Sequence, residues 1–341
     1  MKKKTTIHDV AKRANVSVAT VSRVVNKQGG VRPKTEAKIV SAIEELGYVR
    51  NAIARSMVRK ETKTIGVLIP DITNPFFSGV ISGIEREAVK KGYHTILSSS
   101  QNSHDIEEEV LENFLERGID GLVITTANEY GRQLERVMDT GVPVVAVDRQ
   151  LHHYDVDTVL SGNREGSYEA VTHLISEGYR RIAIIRGPQH TTPGLERFRG
   201  YSRALLDHGL EADPSLIVDG DFGTESGYQA VRSLCELGER RPDAIFSSNN
   251  LMSLGALKAL YELAWPIGSE VGFAGFDDLE MSTIHRPNLT MVARNMEHLG
   301  KVAFSYLHTR MQGKTEAHSS REYIMSPTLI IRESSKRLEP G

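Results

Sequence analysis

From Thr64 onward the sequence alternates compact apolar runs, rich in β-branched residues, with amphipathic stretches of helical length. "TIGVLIP", "HTILSSS", "GLVITT" and "VPVVAVDR" form a first series; "TVLSG", "RIAIIRG", "LIVDGDF", "AIFSSN" and "GFAGFDD" form a second. Runs of this kind suit strands buried on both faces, and helical segments between them carry the chain back for parallel pairing. The alternation therefore predicts two doubly wound α/β units in tandem. Glycines close several of the helical stretches, as in "SEGY" and "DHGL". The acidic run "HDIEEEVLENFLERG" keeps an apolar stripe of Ile106, Val110, Leu111, Phe114 and Leu115, so it reads as a helix with a solvated face and not as an interaction tail.

The N-terminus follows helical spacing instead. In "IHDVAKRANVSVATVSRVVN", residues 7–26, Val10, Ala11 and Ala14 share one face, and Val18, Val21, Val24 and Val25 share another. Between the two pieces Asn15 suits a left-handed corner, and Ser17 stands where a side chain can cap the second helix. The result is a helix-turn-helix pattern. Its second helix exposes Val18, Ala19, Thr20, Ser22, Arg23 and Asn26, a surface of small and hydrogen-bonding groups that fits a major groove. "TEAKIVSAIEELGY" supplies a third helix, with Ile39, Ala42, Ile43 and Leu46 facing inward and Gly47 ending it. Residues 1–48 are thus expected to form a separate small all-α domain.

Charge sharpens this division. The chain's net charge is only −2, yet up to Glu61 there are 14 Lys and Arg against five Asp and Glu, a net +9, which leaves −11 for the remainder. A basic head on an acidic body points to a polyanionic partner for the head. With 39% hydrophobic residues the chain is expected to fold throughout. Its single cysteine, Cys235, cannot form an internal disulfide. "MKKKTTIHDV" lacks the apolar segment of a signal peptide, and no apolar run nears the ~18 residues of a membrane span, so a cytoplasmic protein without membrane contact is expected.

"TIHDVAKRANVSVATVSRVVN", followed by "KTEAKIVSAIEELGYVRNAIARSM", resembles the DNA-binding head and hinge of the lactose-repressor/galactose-repressor (LacI/GalR) family of bacterial transcription regulators. The resemblance implies that Val18, Ala19 and Arg23 read bases, and that Ser17, Thr20, Ser22, Asn26 and Thr35 bind or orient phosphates. It also implies a hinge helix at "NAIARSMV", residues 51–58, which folds on operator DNA and presses an apolar side chain into the minor groove. Met57 stands where the family usually has Leu, and Asn51 and Ala54 match the other hinge positions. Arg32, before Pro33, replaces the usual small hydroxyl cap and adds a cation that can reach phosphate.

In open α/β sheets ligands gather beyond the carboxyl ends of the strands. Here those ends carry Asn74, Phe76 and Phe77 in "DITNPFF", then Asp148 and Arg149, Phe222, Asn249, and Asp277. Aromatic faces stack on sugar C–H groups while charged and amide groups hydrogen-bond the hydroxyls. Residues 62 to about 333 resemble the effector-binding core of the same family, which is similar in fold to periplasmic sugar-binding proteins. "NPFF", "VDRQ", "ERFRGY", "GDF", "SSNN" and "GFDD" match its pocket segments, which adds Arg197 to the set. The resemblance divides the chain into a helix-turn-helix domain (1–48), a hinge helix and linker (49–62) and a core (63–341). The core's N-subdomain is expected at about 63–160 and 292–322, and its C-subdomain at about 161–291 and 323–341.

Two positions depart from the family pattern. Asn250 replaces the usual Asp, and Arg294 stands where Gln is common. With Arg149 and Arg197, Arg294 would bring three guanidinium groups to one pocket, which predicts an anionic ligand such as a sugar acid or sugar phosphate. Pairing of Arg294 with Asp71 or another pocket carboxylate would instead restore a neutral sugar.

The function implied is a sequence-specific transcription regulator, a repressor of carbohydrate-utilisation genes controlled allosterically by a sugar or sugar-derived effector. Alternatives are a regulator with a non-sugar effector such as a nucleobase, or a sugar-binding protein without operator control. The family is dimeric, which matches a near-palindromic operator; "SSKRLEPG" has no leucine heptad, so no C-terminal coiled coil is expected. No GxSxG, HExxH, phosphate-binding Gly-rich loop or Cys/His cluster at metal spacing occurs, so neither catalysis, cofactor nor metal is expected, and His152 and His153 are read as surface residues.

Overall fold

The computed structural model describes residues 5–26, 28–48, 61–313 and 319–337, and the chain divides into two compact units, Met1–Thr62 and Lys63–Gly341.

In the first unit α1 (Ile7–Ala14) starts with a capping box: Thr6 accepts from the Asp9 amide, and the Asp9 carboxylate accepts from the Thr6 amide. Asn15 turns the corner with φ 54°, and Ser17 caps α2 (Val18–Val25) by accepting from the Thr20 amide at 3.2 Å. After Arg32, α3 (Pro33–Leu46) has proline in its first turn but no side-chain cap, and Gly47 ends it at φ 56°. The three helices close over Val10, Ala11, Ala14, Val21, Val25, Ile39 and Ala42. With so small a core, the caps and the left-handed corner do much of the specifying.

The second unit holds two six-stranded sheets. The first has the order β11-β5-β4-β3-β1-β2, with β1 (Thr64–Ile69), β2 (His94–Ser99), β3 (Gly121–Ile124), β4 (Val144–Val147), β5 (Asp157–Ser161) and β11 (Glu322–Met325). The second has the order β12-β10-β9-β8-β6-β7, with β6 (Ile182–Arg186), β7 (Ile217–Asp219), β8 (Ala244–Ser247), β9 (Gly272–Phe276), β10 (Thr290–Ala293) and β12 (Thr328–Ile330). All pairings are parallel except β10 with β12. The two orders match position for position, so β4 and β9 are equivalent central strands.

Helices cover both faces of each sheet. Those needed below are α4 (Pro75–Lys90), α5 (His104–Glu116), α6 (Glu135–Asp139), α7 (Asn163–Ser176), α8 (Thr192–Asp207), α9 (Thr224–Cys235), α10 (Asn250–Glu262), α11 (Met281–Ile284) and α12 (Met296–Met311). Paired glycines set the closest helix contacts. A Cβ on Gly300 of α12 would lie 1.9 Å from the Val80 carbonyl oxygen of α4, and one on Gly83 2.1 Å from the Glu297 carbonyl oxygen. Gly227 and Gly255 do the same for α9 and α10.

The chain crosses between sheets after β5, after β10 and between β11 and β12. Three expected boundaries therefore move. Ser161 belongs to β5 in the first sheet, residues 292 and 293 belong to β10 in the second, and residues 323–325 belong to β11, which pairs with β5 in the first. The third crossing thus lies at 326–327 rather than after 322, because β11 adds to the first sheet's edge before the chain leaves it.

Candidate functional site

On the head, Ser17, Ala19, Arg23 and Arg32 are exposed, while Val18, Thr20, Ser22, Asn26 and Thr35 are half-buried. Val18 also packs against the head's core. The hydroxyls of Ser17 and Thr20 lie 2.8 Å apart, and Asn26 Nδ2 donates to Ser22 Oγ at 3.1 Å. The polar side chains of α2 are thus pre-oriented by one another, and Arg23 is the cation this helix presents. Asn51, Ala54 and Met57 lie outside the described residues.

All eleven expected effector positions line one cavity of about 240 Å³ between the two lobes of the second unit. That is below the ~300–1,000 Å³ of drug-sized ligand sites and suits a single small ring. A larger hollow of about 390 Å³ lies elsewhere between the lobes and includes none of the eleven.

Backbone geometry aims several of these residues. Asp148 follows β4 with φ 65°, Asp277 follows β9 with φ 74°, and Phe222 has φ 70°. Left-handed conformations at non-glycine residues are uncommon and cluster at ligand sites, where surrounding structure over-determines them. Asn74 caps α4 by accepting from the Phe76 amide, and Asn249 caps α10 through the Met252 amide while donating to the Phe222 carbonyl oxygen at 2.9 Å. Both asparagines are therefore helix caps that also face the cavity. Asp71 accepts from the Thr73 amide and hydroxyl at the cavity's edge.

The guanidinium groups differ in their partners. Arg294 donates from Nε to Asp277 Oδ1 at 2.7 Å, and from Nη1 to Asp148 Oδ1 at 2.8 Å and Ser161 Oγ at 3.2 Å. It also lies 3.8 Å over the Phe76 ring. Burial works against its charge, but Asp277 and Asp148 more than offset this and raise its pKa above the usual guanidinium value. The three expected guanidiniums do line one cavity, but Arg294 takes the alternative of pairing with pocket carboxylates, Asp148 and Asp277 and not Asp71. Arg197 stacks 3.8 Å over Phe276 and donates to Asn163 Oδ1 and the Ser248 carbonyl oxygen. Its burial, reinforced by Arg294, lowers its pKa to about 10. Arg149 donates to the Thr126 carbonyl oxygen and to Asn102 Oδ1. Its pKa is lowered by burial, against the pull of Asp148, Glu129 and Glu107.

Asn250, read from the sequence as a lost charge, donates from Nδ2 to Asn74 Oδ1 at 2.9 Å and so joins the lobes. Asn102, Pro193 and Asp221 also line the cavity but were not anticipated. Asn102 and Asp221 closely follow the ends of β2 and β7, so the strand-end rule could have found both; Pro193, in the first turn of α8, carries no such signal. Among the described residues no group of three or more His, Cys, Asp or Glu could hold a metal, and no helix is long and apolar enough to cross a membrane. His152 is exposed and stacked on Tyr130.

Known proteins are similar to this chain along nearly its whole length. Residues 6–51 match the family described as bacterial regulatory proteins, lacI family, and residues 62–332 match periplasmic binding proteins and sugar binding domain of LacI family. The chain is 37% identical to catabolite control protein A of Priestia megaterium, over 97% of this chain and 99% of that one. It is 33% identical to the HTH-type transcriptional repressor PurR of Vibrio atlanticus (strain LGP32), over 98% and 99%. Among solved structures it is similar to a lac repressor dimer bound to operator and the anti-inducer ONPF, with a TM-score of 0.85 and 26% identity over 98% and 99%. It is also similar to a complex of the transcriptional regulator CelR with cellobiose, with a TM-score of 0.74 and 31% identity over 97% and 99%.

Proposed function

Because the chain belongs to the lacI family of bacterial regulatory proteins, and is thus a DNA-binding transcription regulator and not an enzyme, we propose that it represses carbohydrate-utilisation genes under the control of a neutral sugar. As a bacterial transcription regulator it works in the cytoplasm. We place operator DNA at the exposed face of α2, with the protein acting as a dimer in the manner of the lac repressor complex.

The observation that carries the sugar reading is the pairing of Arg294 with Asp148 and Asp277. It removes one guanidinium from those available to an anion. Behind Arg149 stand two further buried carboxylates, Glu107 and Glu129. The lining left to a ligand is an aromatic ring at Phe222, amides at Asn102 and Asn249, carboxylates at Asp71 and Asp221 and guanidinium N–H groups, a set that recognises hydroxyl and ring oxygens. The cavity's size favours a monosaccharide.

A thermal-shift panel of neutral sugars, sugar acids and sugar phosphates tests this, since a ligand selective for the folded state stabilises it by about 2.7 kcal/mol at 100 times its Kd. A neutral monosaccharide should raise Tm. A rise confined to the acidic and phosphorylated members would overturn the reading.

A further inference from the structure

Among the described residues three sets of bonds join the two lobes of the core, and they differ in kind. Arg294, at the end of β10 in the second sheet, reaches Asp148 and Ser161 at the ends of β4 and β5 in the first. Asn250 at the start of α10 donates to Asn74 at the start of α4. Thr192 at the start of α8 donates its amide to Glu129 Oε1 at 2.6 Å, and its hydroxyl accepts from the Gln150 amide at 3.2 Å. Of these, only the Arg294 bond joins opposite charges.

Asp148 and Asp277 occupy equivalent places in the two sheets, each just past the central strand and each with a left-handed backbone. In the closed cleft these two buried carboxylates both bind one guanidinium, whose side chain is 1% exposed. Without a cation between them, two like charges in a low-dielectric cleft would repel and favour separated lobes. A sugar closing such a cleft would have to satisfy both carboxylates with its hydroxyls. Arg294 already does so.

We infer that Arg294, assisted by Asn250, is an internal closing ligand that holds the lobes together without an effector and withholds Asp148 and Asp277 from the ligand. The inference rests on reading the cleft as the effector site. It determines specificity as well as closure. A ligand entering the wild-type cleft meets Arg149, Arg197, Asn102, Asn249 and Phe222, while in Arg294→Gln it also meets Asp148 and Asp277, the latter still 4.0 Å from Arg197. Closure, built into the wild type, then becomes dependent on the ligand.

Hydrogen exchange of the full-length protein reads this at sites that neither Arg294 nor Asn250 touches. The Thr192 and Gln150 amides, bonded across the lobes, report lobe contact; amides within β6 and β8 report folding. In Arg294→Gln, exchange at Thr192 and Gln150 should rise about tenfold or more while β6 and β8 keep their protection. Glucose or ribose should then restore protection in the variant yet change little in the wild type. Asn250→Asp, which sets a carboxylate against the Asn74 acceptor, should give a smaller rise, and it decides the matter if Arg294→Gln does not fold. Wild-type exchange at Thr192 and Gln150 in a folded Arg294→Gln protein, or in Asn250→Asp where that variant must decide, overturns the inference. If the two amides open as expected but no sugar binds, the clasp stands and the effector reading falls; if a sugar binds and the amides do not open, only the clasp falls.

Discussion

At the scale of single residues, charge placement decides most outcomes. Arg23 is exposed on α2 and is the residue there best suited to pair with guanine. Arg23→Ala should weaken operator binding by about 1–3 kcal/mol and relax preference at one base position. Equal weakening across all operator variants, measured by anisotropy, would mark a phosphate contact instead. Asp157 illustrates a structural use of charge. Its side chain is fully buried and is held by Arg310 and Arg321. Burial alone would raise its pKa, but the two guanidiniums and the Arg321 amide outweigh this and lower it from 3.8 to about 2. A depressed carboxylate pKa contributes stability that is complete above pH ~4 and is lost as pH falls through about 2, here on the order of 2 kcal/mol. Denaturant melts of Asp157→Asn should show that loss at pH 7, and the gap from wild type should narrow in acid. A gap independent of pH would mean that packing, and not charge, is responsible. The double pairing of Arg294 was not legible in the sequence: Asp277 follows the neighbouring strand of the same sheet, but Asp148 lies 146 positions away in the other lobe and reaches Arg294 only when the lobes meet.

At the scale of elements, the nine strands with compact apolar runs were readable, and so were the three helices of the head with their caps. β10, β11 and β12 were not. β11 and β12 lie at sheet edges with partly exposed side chains, so no apolar run announces them, while the buried run of β10 is four residues that periodicity alone does not separate from the start of the following helix. The strand-end rule led to most of the cavity's lining because the parallel topology brings those ends together; it gave no means of seeing Pro193, which comes from inside α8. α3 offers a test of capping. Arg32 provides no side-chain acceptor at its N-cap, so Arg32→Ser should stabilise the head by about 1 kcal/mol. If Arg32 also contacts phosphate, the same change should reduce the salt slope of operator binding by about 0.9. The backbone contact between α4 and α12 is less tolerant. Gly300→Ala should destabilise the core by about 1–3 kcal/mol or more, because the added methyl meets a backbone carbonyl and not a movable side chain.

At the scale of the whole molecule, the sequence carries two functions of opposite charge: a +9 segment ending at Glu61 and a −11 remainder. Operator affinity should fall linearly on a log–log plot against salt, with a slope near −0.9 per phosphate neutralised. Binding of a neutral sugar should respond far less, since such a ligand brings no charge to the cleft and releases no condensed counterions. The two activities must be thermodynamically coupled if the chain is a regulator, and coupling is reciprocal: whatever factor the sugar imposes on DNA affinity, DNA imposes on sugar affinity. The most direct measurement is a titration of a labelled near-palindromic operator at fixed salt, with and without a saturating neutral sugar that raises Tm. The curves should separate by about 5- to 150-fold, and saturating DNA should shift the sugar's affinity by the same factor. Superimposable operator curves in the presence of a sugar that demonstrably occupies the cleft would contradict the account.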